Sequence, residues 1–186
     1  MADRHGTQRC AIRLGVCLAM VLAGTTVIAQ PIAAPELSAP GSVAYDGEGI
    51  PLIQATTDND AAFVQGWAHA RDRFFQMDTT RRAASGTLAE LVGSSVLADD
   101  VQARTIGLRR AALATWKVLS DDPRGWLKAY SDGVNFWLRN NPLPPEYSAL
   151  DLTKVPPGNP VATLGVGKEL GFRLSFDLDI GQTLRS

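Results

Sequence analysis

The longest regular pattern of hydrophobic and polar positions predicts a helix over residues 59–84. Asp58-Asn59-Asp60 supplies acidic and amide side chains that suit a helix start, and Ser85-Gly86 supplies a glycine that suits a helix end. Between these signals, apolar residues recur every three or four positions and therefore share one helix face. They are Phe63, Trp67, Ala70, Phe74 and Met77. This face is the first candidate for the core.

Further helical segments follow this one. Residues 88–92 predict a short helix, and an apolar stripe after Asp99-Asp100 predicts a single helix that ends near residue 119. Asp121-Asp122-Pro123 begins another, which Asn140-Asn141-Pro142 ends. Residues 142–160 hold six prolines and predict an ordered or extended connector, after which residues 161–172 predict a last helix.

The only β signal lies near the N-terminus. Residues 42–46 and 51–55 are short β-prone runs on either side of Gly47-Glu48-Gly49, which predicts a hairpin. Residues 30–41 are rich in Pro and Ala, without periodicity, and predict an extended lead-in. The predicted fold class is therefore α+β, predominantly helical with a small N-terminal β element.

Residues 1–29 have the pattern of a secretory signal peptide. Three arginines precede the uncharged apolar run of residues 14–23, and Val27-Ile28-Ala29 fits a cleavage site. The apolar run is short for a membrane-spanning helix, which needs about 20 residues. We expect an exported protein, periplasmic or secreted, that has no membrane attachment after signal cleavage. The alternative is an uncleaved or buried N-terminal helix.

Removal of the predicted signal would leave few residues that could bind a metal through sulfur or nitrogen or form a disulfide. Both cysteines, Cys10 and Cys17, lie in the predicted signal, so the mature chain has neither disulfide nor thiolate. His69 would be its only histidine. The formal net charge of the whole chain is -1, which gives no basic field for a nucleic acid partner.

The polar residues on the 59–84 helix allow two interpretations. Arg73, Arg81 and Arg82 are many cations for an apolar helix, and Asp78 lies four residues before Arg82, a favourable spacing for an ion pair. An ion-pair network that holds helices together is the first interpretation, and binding of a substrate carboxylate is the second. For His69, we expect a hydrogen-bonded packing role rather than catalysis.

Residues 66–93 carry a dense motif, GWAHARDRFFQMDTTRRAASGTLAELVG. It resembles the signature of the penicillin acylase (penicillin amidase) family, which includes β-lactam acylases and N-acyl homoserine lactone acylases. The signature runs Gly-aromatic-x-His-Ala-x-Asp-Arg-x-x-Gln-Met, then an Arg pair, then Gly-x-Leu-x-Glu-x-x-Gly. The matching positions are Gly66, Trp67, His69, Ala70, Asp72, Arg73, Gln76, Met77, Arg81, Arg82, Gly86, Leu88, Glu90 and Gly93. Weaker agreement extends over about residues 43–180.

The resemblance implies a mechanism in which this chain supplies no catalytic residue. Members of the family are N-terminal-nucleophile hydrolases with an αββα sandwich, made as exported precursors that cut themselves into an α chain and a β chain. A serine at the start of the β chain attacks the amide, and its own α-amine acts as the base. Residues 42–186 correspond to the α-chain region, incomplete at its C-terminal end, with the β-part as partner.

The family's α chain walls the acyl pocket and supplies one calcium ligand. By resemblance, Gly171, Phe172, Leu174 and Ser175 are the candidate substrate-binding residues, although Phe172 and Leu174 also suit ordinary core packing. Asp179 is the first candidate for the calcium ligand and Asp177 the second, and carboxylate oxygens suit this ion. The resemblance implies no organic cofactor, and the substrate would be a small N-acyl amide.

One segment departs from the family pattern. The family usually has Trp-x-Pro-x-Asp at the end of the connector, where this chain has Gly158-Asn159-Pro160-Val161-Ala162 and so lacks both Trp and Asp. This departure leaves an alternative open, in which the chain is a non-catalytic exported scaffold or binding protein, or an inactive truncated remnant. We expect no hydrolysis by the chain alone.

Overall fold

The computed structural model describes residues 29–183, with side chains for residues 29–175. Three short strands precede a set of helices, which confirms the mostly helical fold with a small N-terminal sheet. The strands are β1 Gln30–Ile32, β2 Gly41–Tyr45 and β3 Pro51–Gln54. The helices are α1 Asp58–Ser85, α2 Ala89–Val92, α3 Leu97–Ile106, α4 Leu108–Val118, α5 Asp121–Asn140, α6 Pro145–Ala149 and α7 Pro160–Thr183.

Helices α1 and α5 form the centre of the molecule and approach each other through glycines. Gly66 of α1 lies against the backbone carbonyl of Tyr130, and Gly133 of α5 lies against that of Phe63. A Cβ atom at either glycine would collide with these backbone atoms. The apolar face predicted for α1 packs into this contact and is largely buried, together with Val134, Trp137 and Tyr147.

Helix α1 begins and ends where the sequence predicts. The hydroxyl of Thr57 accepts a hydrogen bond of 3.1 Å from the backbone N–H of Asp60, which caps the first turn. Gly86 adopts the left-handed conformation, with φ of 66°, and its N–H bonds to the last turn. A kink at Arg73 divides the helix, where φ is -145°.

The strands form one antiparallel sheet in the order β1-β2-β3. The predicted hairpin is confirmed, with Val43 paired to Ile53 across it. The Asp46 carboxylate accepts hydrogen bonds from the backbone N–H groups of Glu48 and Ile50 at 3.0 and 2.8 Å, which holds the turn. The lead-in segment also contributes a strand, since Gln30 pairs with Val43.

The single helix expected over residues 99–119 is wrong, because the structure has α3 and α4 there. Gly107 separates them with φ of 84°, a left-handed conformation that redirects the chain. The proline-rich connector is ordered and contains the short helix α6. Helix α7 begins at Pro160 and extends beyond the predicted residue 172 to Thr183.

Within residues 29–183, none of the helices combines the length and the hydrophobicity that a membrane span requires. The predicted signal peptide lies almost entirely outside the described residues.

Candidate functional site

Helix α7 carries the four residues predicted to contact substrate, and they do not share one environment. Phe172 is partly buried and lies in a groove beside α3, with Ala103 and Ile106. Leu174 is 65% exposed, and Gly171 is exposed with nothing near the position of a Cβ. The Ser175 hydroxyl donates 2.8 Å to the backbone carbonyl of Gly171, within its own helix.

The predicted calcium ligands lie near the end of α7. Asp177 and Asp179 fall within α7, but they lie beyond residue 175, the last residue whose side chain is described. Among the side chains that are described, no group of three or more His, Cys, Asp or Glu residues is arranged to hold a metal ion.

Two arginines of α1, Arg81 and Arg82, bind a fully buried carboxylate. Asp78 has no exposed surface, and its oxygens accept hydrogen bonds from Arg81 Nε at 2.7 Å and from Arg82 Nε at 3.1 Å. Arg82 also pairs with Glu90 at 3.2 Å. The predicted ion-pair network is therefore confirmed for Arg81 and Arg82, since the Asp78 carboxylate pairs with both and Glu90 pairs with Arg82. Arg73, the third arginine predicted for it, is exposed and forms no ion pair with a described side chain.

Two side chains, Arg81 of α1 and Asn135 of α5, bind the segment that precedes α7. The Arg81 guanidinium donates to the carbonyls of Pro156 at 2.7 Å and Pro157 at 3.0 Å. The Asn135 side chain both donates to the carbonyl of Gly158 and accepts from its N–H, at 3.0 and 2.7 Å. No local pattern in the sequence marks Asn135 as a contact residue, although it lies in the part of the chain that resembles the family.

A cavity of about 280 Å³ lies between α1, α5 and the start of α7. Apolar side chains from all three helices form most of its wall, and Arg81 lies at its edge. The lining residues are Phe74, Gln76, Met77, Thr80, Arg81, Tyr130, Ser131, Val134, Gly158, Asn159, Ala162, Thr163 and Val166.

His69 packs against α5, as predicted. Its Nδ1 lies 2.9 Å from the hydroxyl of Tyr130, whose ring stacks on Trp126 at a centroid distance of 5.9 Å. Partial burial lowers the pKa of the imidazole, and the nearby Asp72 acts in the opposite direction. The side-chain hydrogen-bond partner of His69 among the described residues is thus the Tyr130 hydroxyl.

Large apolar side chains are exposed on the helices that follow α1. Leu97 and Val101 on α3 are 54% and 57% exposed, and Leu170 and Leu174 on α7 are 56% and 65% exposed. Apolar surface of this kind is typical of a face that another protein segment covers.

Comparisons with known proteins agree with this architecture. The family model described as Penicillin amidase matches residues 40–185. Penicillin acylase 2 proenzyme of Pseudomonas sp. (strain SE83) is 38% identical over 138 residues, which are 74% of this chain and 18% of the relative. Acyl-homoserine lactone acylase QuiP of Pseudomonas fluorescens (strain Pf0-1) is 39% identical over 97 residues, or 52% of this chain and 12% of the relative. The chain thus spans less than a fifth of these curated relatives.

A solved structure is similar as well. Thermostable penicillin G acylase from Alcaligenes faecalis, in its tetragonal form, matches with a TM-score of 0.66 and 29% sequence identity. The match covers 73% of this chain and 74% of that one. Because the family model covers most of the sequence and the fold agrees with a solved relative, this chain belongs to the penicillin amidase family.

Proposed function

We propose that this chain is the α-part of an exported amidohydrolase that cleaves N-acyl amide bonds. The observation that carries the proposal is the 38% identity to a penicillin acylase proenzyme of which the chain spans only 18%. The complete protein would have the αββα fold of the N-terminal-nucleophile hydrolases, and a β-part would be the partner.

The catalytic group in this proposal is the N-terminal serine of the β-part. Its hydroxyl attacks the amide carbon while its α-amine takes the proton, and the C–N bond then breaks as that proton passes to the departing amine, which leaves an acyl-enzyme. Water attacks the acyl-enzyme, releases the acid and restores the serine hydroxyl. The surroundings of His69 support a nucleophile from outside the described residues, because the imidazole is engaged by Tyr130.

The role of this chain would be to complete the fold and to form one wall of the acyl pocket. Gly171, Phe172, Leu174 and Ser175 are the proposed wall residues. The exposure of Leu174 and Leu170 supports this role, since α7 keeps apolar surface that a β-part or an acyl group would cover.

A structural calcium ion is part of the proposal. Asp179 is the first candidate ligand and Asp177 the second, because carboxylate oxygens suit a hard divalent cation. The remaining ligands would come from the β-part. Isothermal titration of the assembled protein with calcium, repeated with Asp179→Asn and with Asp177→Asn, distinguishes the two.

Export with cleavage after Ala29 completes the proposal. A mature chain that starts at Gln30 would keep β1, whose first residue pairs with Val43. The mass of the mature N-terminus recovered from the periplasm or the medium tests this site.

The test of the function is hydrolysis by the chain with and without a β-part. The coding sequence that follows Ser186 is read first, and its product is expressed together with this chain. Substrates are a β-lactam with an N-acyl side chain and N-acyl homoserine lactones, because the matching relatives are named for both classes.

We expect hydrolysis only from the assembled protein, and loss of hydrolysis when the β-part's first serine becomes alanine. Turnover by residues 30–186 alone would contradict the proposed division of labour. An assembled protein that hydrolyses neither substrate class would contradict the proposed activity.

A further inference from the structure

Residues 156–158, near the end of the connector, have all of their backbone hydrogen-bonding groups bound by two side chains. Pro156 and Pro157 have no N–H, so residues 156–158 offer three carbonyls and one N–H. Arg81 donates to the first two carbonyls, and Asn135 binds both groups of Gly158. These two side chains therefore replace the backbone partners that a strand or helix would supply.

Both side chains are themselves held in place. Arg81 Nε donates 2.7 Å to the buried Asp78 carboxylate, which fixes the guanidinium beneath the connector. Asn135 lies in the second half of α5, one residue after the buried Val134. The anchors thus belong to α1 and α5, the two helices at the centre of the fold.

Helix α7 begins at Pro160, two residues after Gly158. The Asn159 side chain accepts 2.9 Å from the N–H of Ala162, which caps the first turn of the helix. Phe172 lies 14 residues beyond Gly158, or about 20 Å along a helix. A tilt of only about 3° at the start would therefore move this part of α7 by about 1 Å.

We propose that Asn135 and Arg81 are positioning residues that fix the start of α7 and thereby set the acyl-group selectivity of the enzyme. This inference rests on the proposed function, in which α7 forms a wall of the acyl pocket. A displacement of about 1 Å in such a wall changes reaction rates by up to about a hundredfold. The change differs between acyl groups, because a long chain contacts more of the wall than a short one.

The first test compares the acyl selectivity of Asn135 variants in the assembled protein. Asn135→Ala removes both bonds to Gly158, whereas Asn135→Asp keeps an acceptor for the N–H and loses the donor to the carbonyl. The control is Asn140→Ala, on the same helix, where an exposed amide donates 2.7 Å to the carbonyl of Phe136. Titration of active sites with a covalent serine reagent corrects for material that fails to fold.

We expect the ratio of kcat/KM between a long and a short N-acyl homoserine lactone to change by about tenfold in Asn135→Ala. Asn135→Asp should change the ratio less, and Asn140→Ala should leave it unaltered. A purely structural role would lower the number of active sites and leave the ratio constant. A constant ratio in both Asn135 variants would overturn the inference.

A second measurement keeps this inference separate from the proposed function. Hydrogen exchange of peptides that cover residues 156–163 measures, without any substrate, how firmly Asn135 holds Gly158 and the start of α7. Asn135→Ala should accelerate exchange there by about tenfold, while Asn140→Ala leaves it at the wild-type rate. Unchanged exchange in Asn135→Ala would overturn the positioning role of Asn135. Wild-type protein that exchanges slowly in residues 156–163 but hydrolyses no N-acyl amide would instead overturn the proposed function.

Discussion

The Tyr147 hydroxyl donates a hydrogen bond of 2.8 Å to the Asp78 carboxylate, although 69 residues separate the two along the chain. Both residues are fully buried. Burial, together with the bond to Asp78, raises the pKa of the phenol well above its ordinary value, so Tyr147 remains a donor at all ordinary pH values. The bond joins α6, inside the connector, to the C-terminal third of α1.

Asp78→Asn should lower the free energy of unfolding by about 3–5 kcal/mol. The amide would leave the guanidinium groups of Arg81 and Arg82 without their shared buried anion. Denaturant unfolding followed by far-UV circular dichroism measures the change.

Asp72→Asn is the matched control for this substitution. The Asp72 carboxylate also accepts 2.8 Å from a tyrosine, Tyr45, but its side chain is 35% exposed. We expect a loss below about 1 kcal/mol there. Equal losses of unfolding free energy at the two positions would show that burial does not determine how much the Asp78 cluster contributes to stability.

The sequence predicts contacts within a helix better than contacts between distant segments. The pairing of Asp78 with Arg82 follows from their spacing of four on one helix. The bonds from Arg81 to the carbonyls of Pro156 and Pro157 span 75 and 76 residues, and no local pattern encodes such a contact. The same reason explains why Asn135 was not recognised as an anchor.

The break between α3 and α4 was missed for a different reason. Apolar residues keep helical spacing on both sides of Gly107, so periodicity alone favours one continuous helix. A glycine inside a helix costs only about 1 kcal/mol relative to alanine, and tertiary packing decides whether the chain continues or turns. Here the chain turns, and Arg104 on α3 donates to the carbonyl of Gly86.

Asp100→Ala should destabilise the protein by about 1–2 kcal/mol. The buried Asp100 carboxylate accepts hydrogen bonds from the backbone N–H groups of Leu88 and Ala89 at 2.9 and 2.8 Å, which caps the start of α2. The neighbouring Asp99 is exposed, and Asp99→Ala should cost less than half as much. Thermal unfolding of both variants measures the difference, and a larger loss in Asp99→Ala would refute the capping role.

Gly133→Ala should destabilise the contact between α1 and α5 by about 1–3 kcal/mol or prevent folding. Its Cβ would collide with the carbonyl of Phe63, and both backbones are held by their own helices. Gly167→Ala on α7 is the control, since nothing lies within 4 Å of its Cβ position. That substitution should stabilise α7 by up to about 1 kcal/mol, because alanine favours helix. Denaturant midpoints for the two variants should therefore shift in opposite directions, and a stabilising Gly133→Ala would contradict the close approach of the helices.

The stability of the N-terminal segment should depend on pH through Asp60. The Ser38 hydroxyl and N–H both donate to this carboxylate, the latter at 2.9 Å. The hydroxyl bond is the largest cause that lowers the Asp60 pKa below 3.8, while burial opposes it. The folded state therefore binds this proton less readily than the unfolded chain, and the stabilisation is complete above about pH 5 and lost as pH falls through the folded-state pKa.

Ser38→Ala should reduce the acid dependence of the free energy of unfolding, measured by denaturant titration from about pH 6 to about pH 2.5. The exposed Ser95 supplies the control Ser95→Ala, which should keep the wild-type slope. An unchanged slope in Ser38→Ala would mean that the bond to Asp60 does not link the lead-in segment to α1.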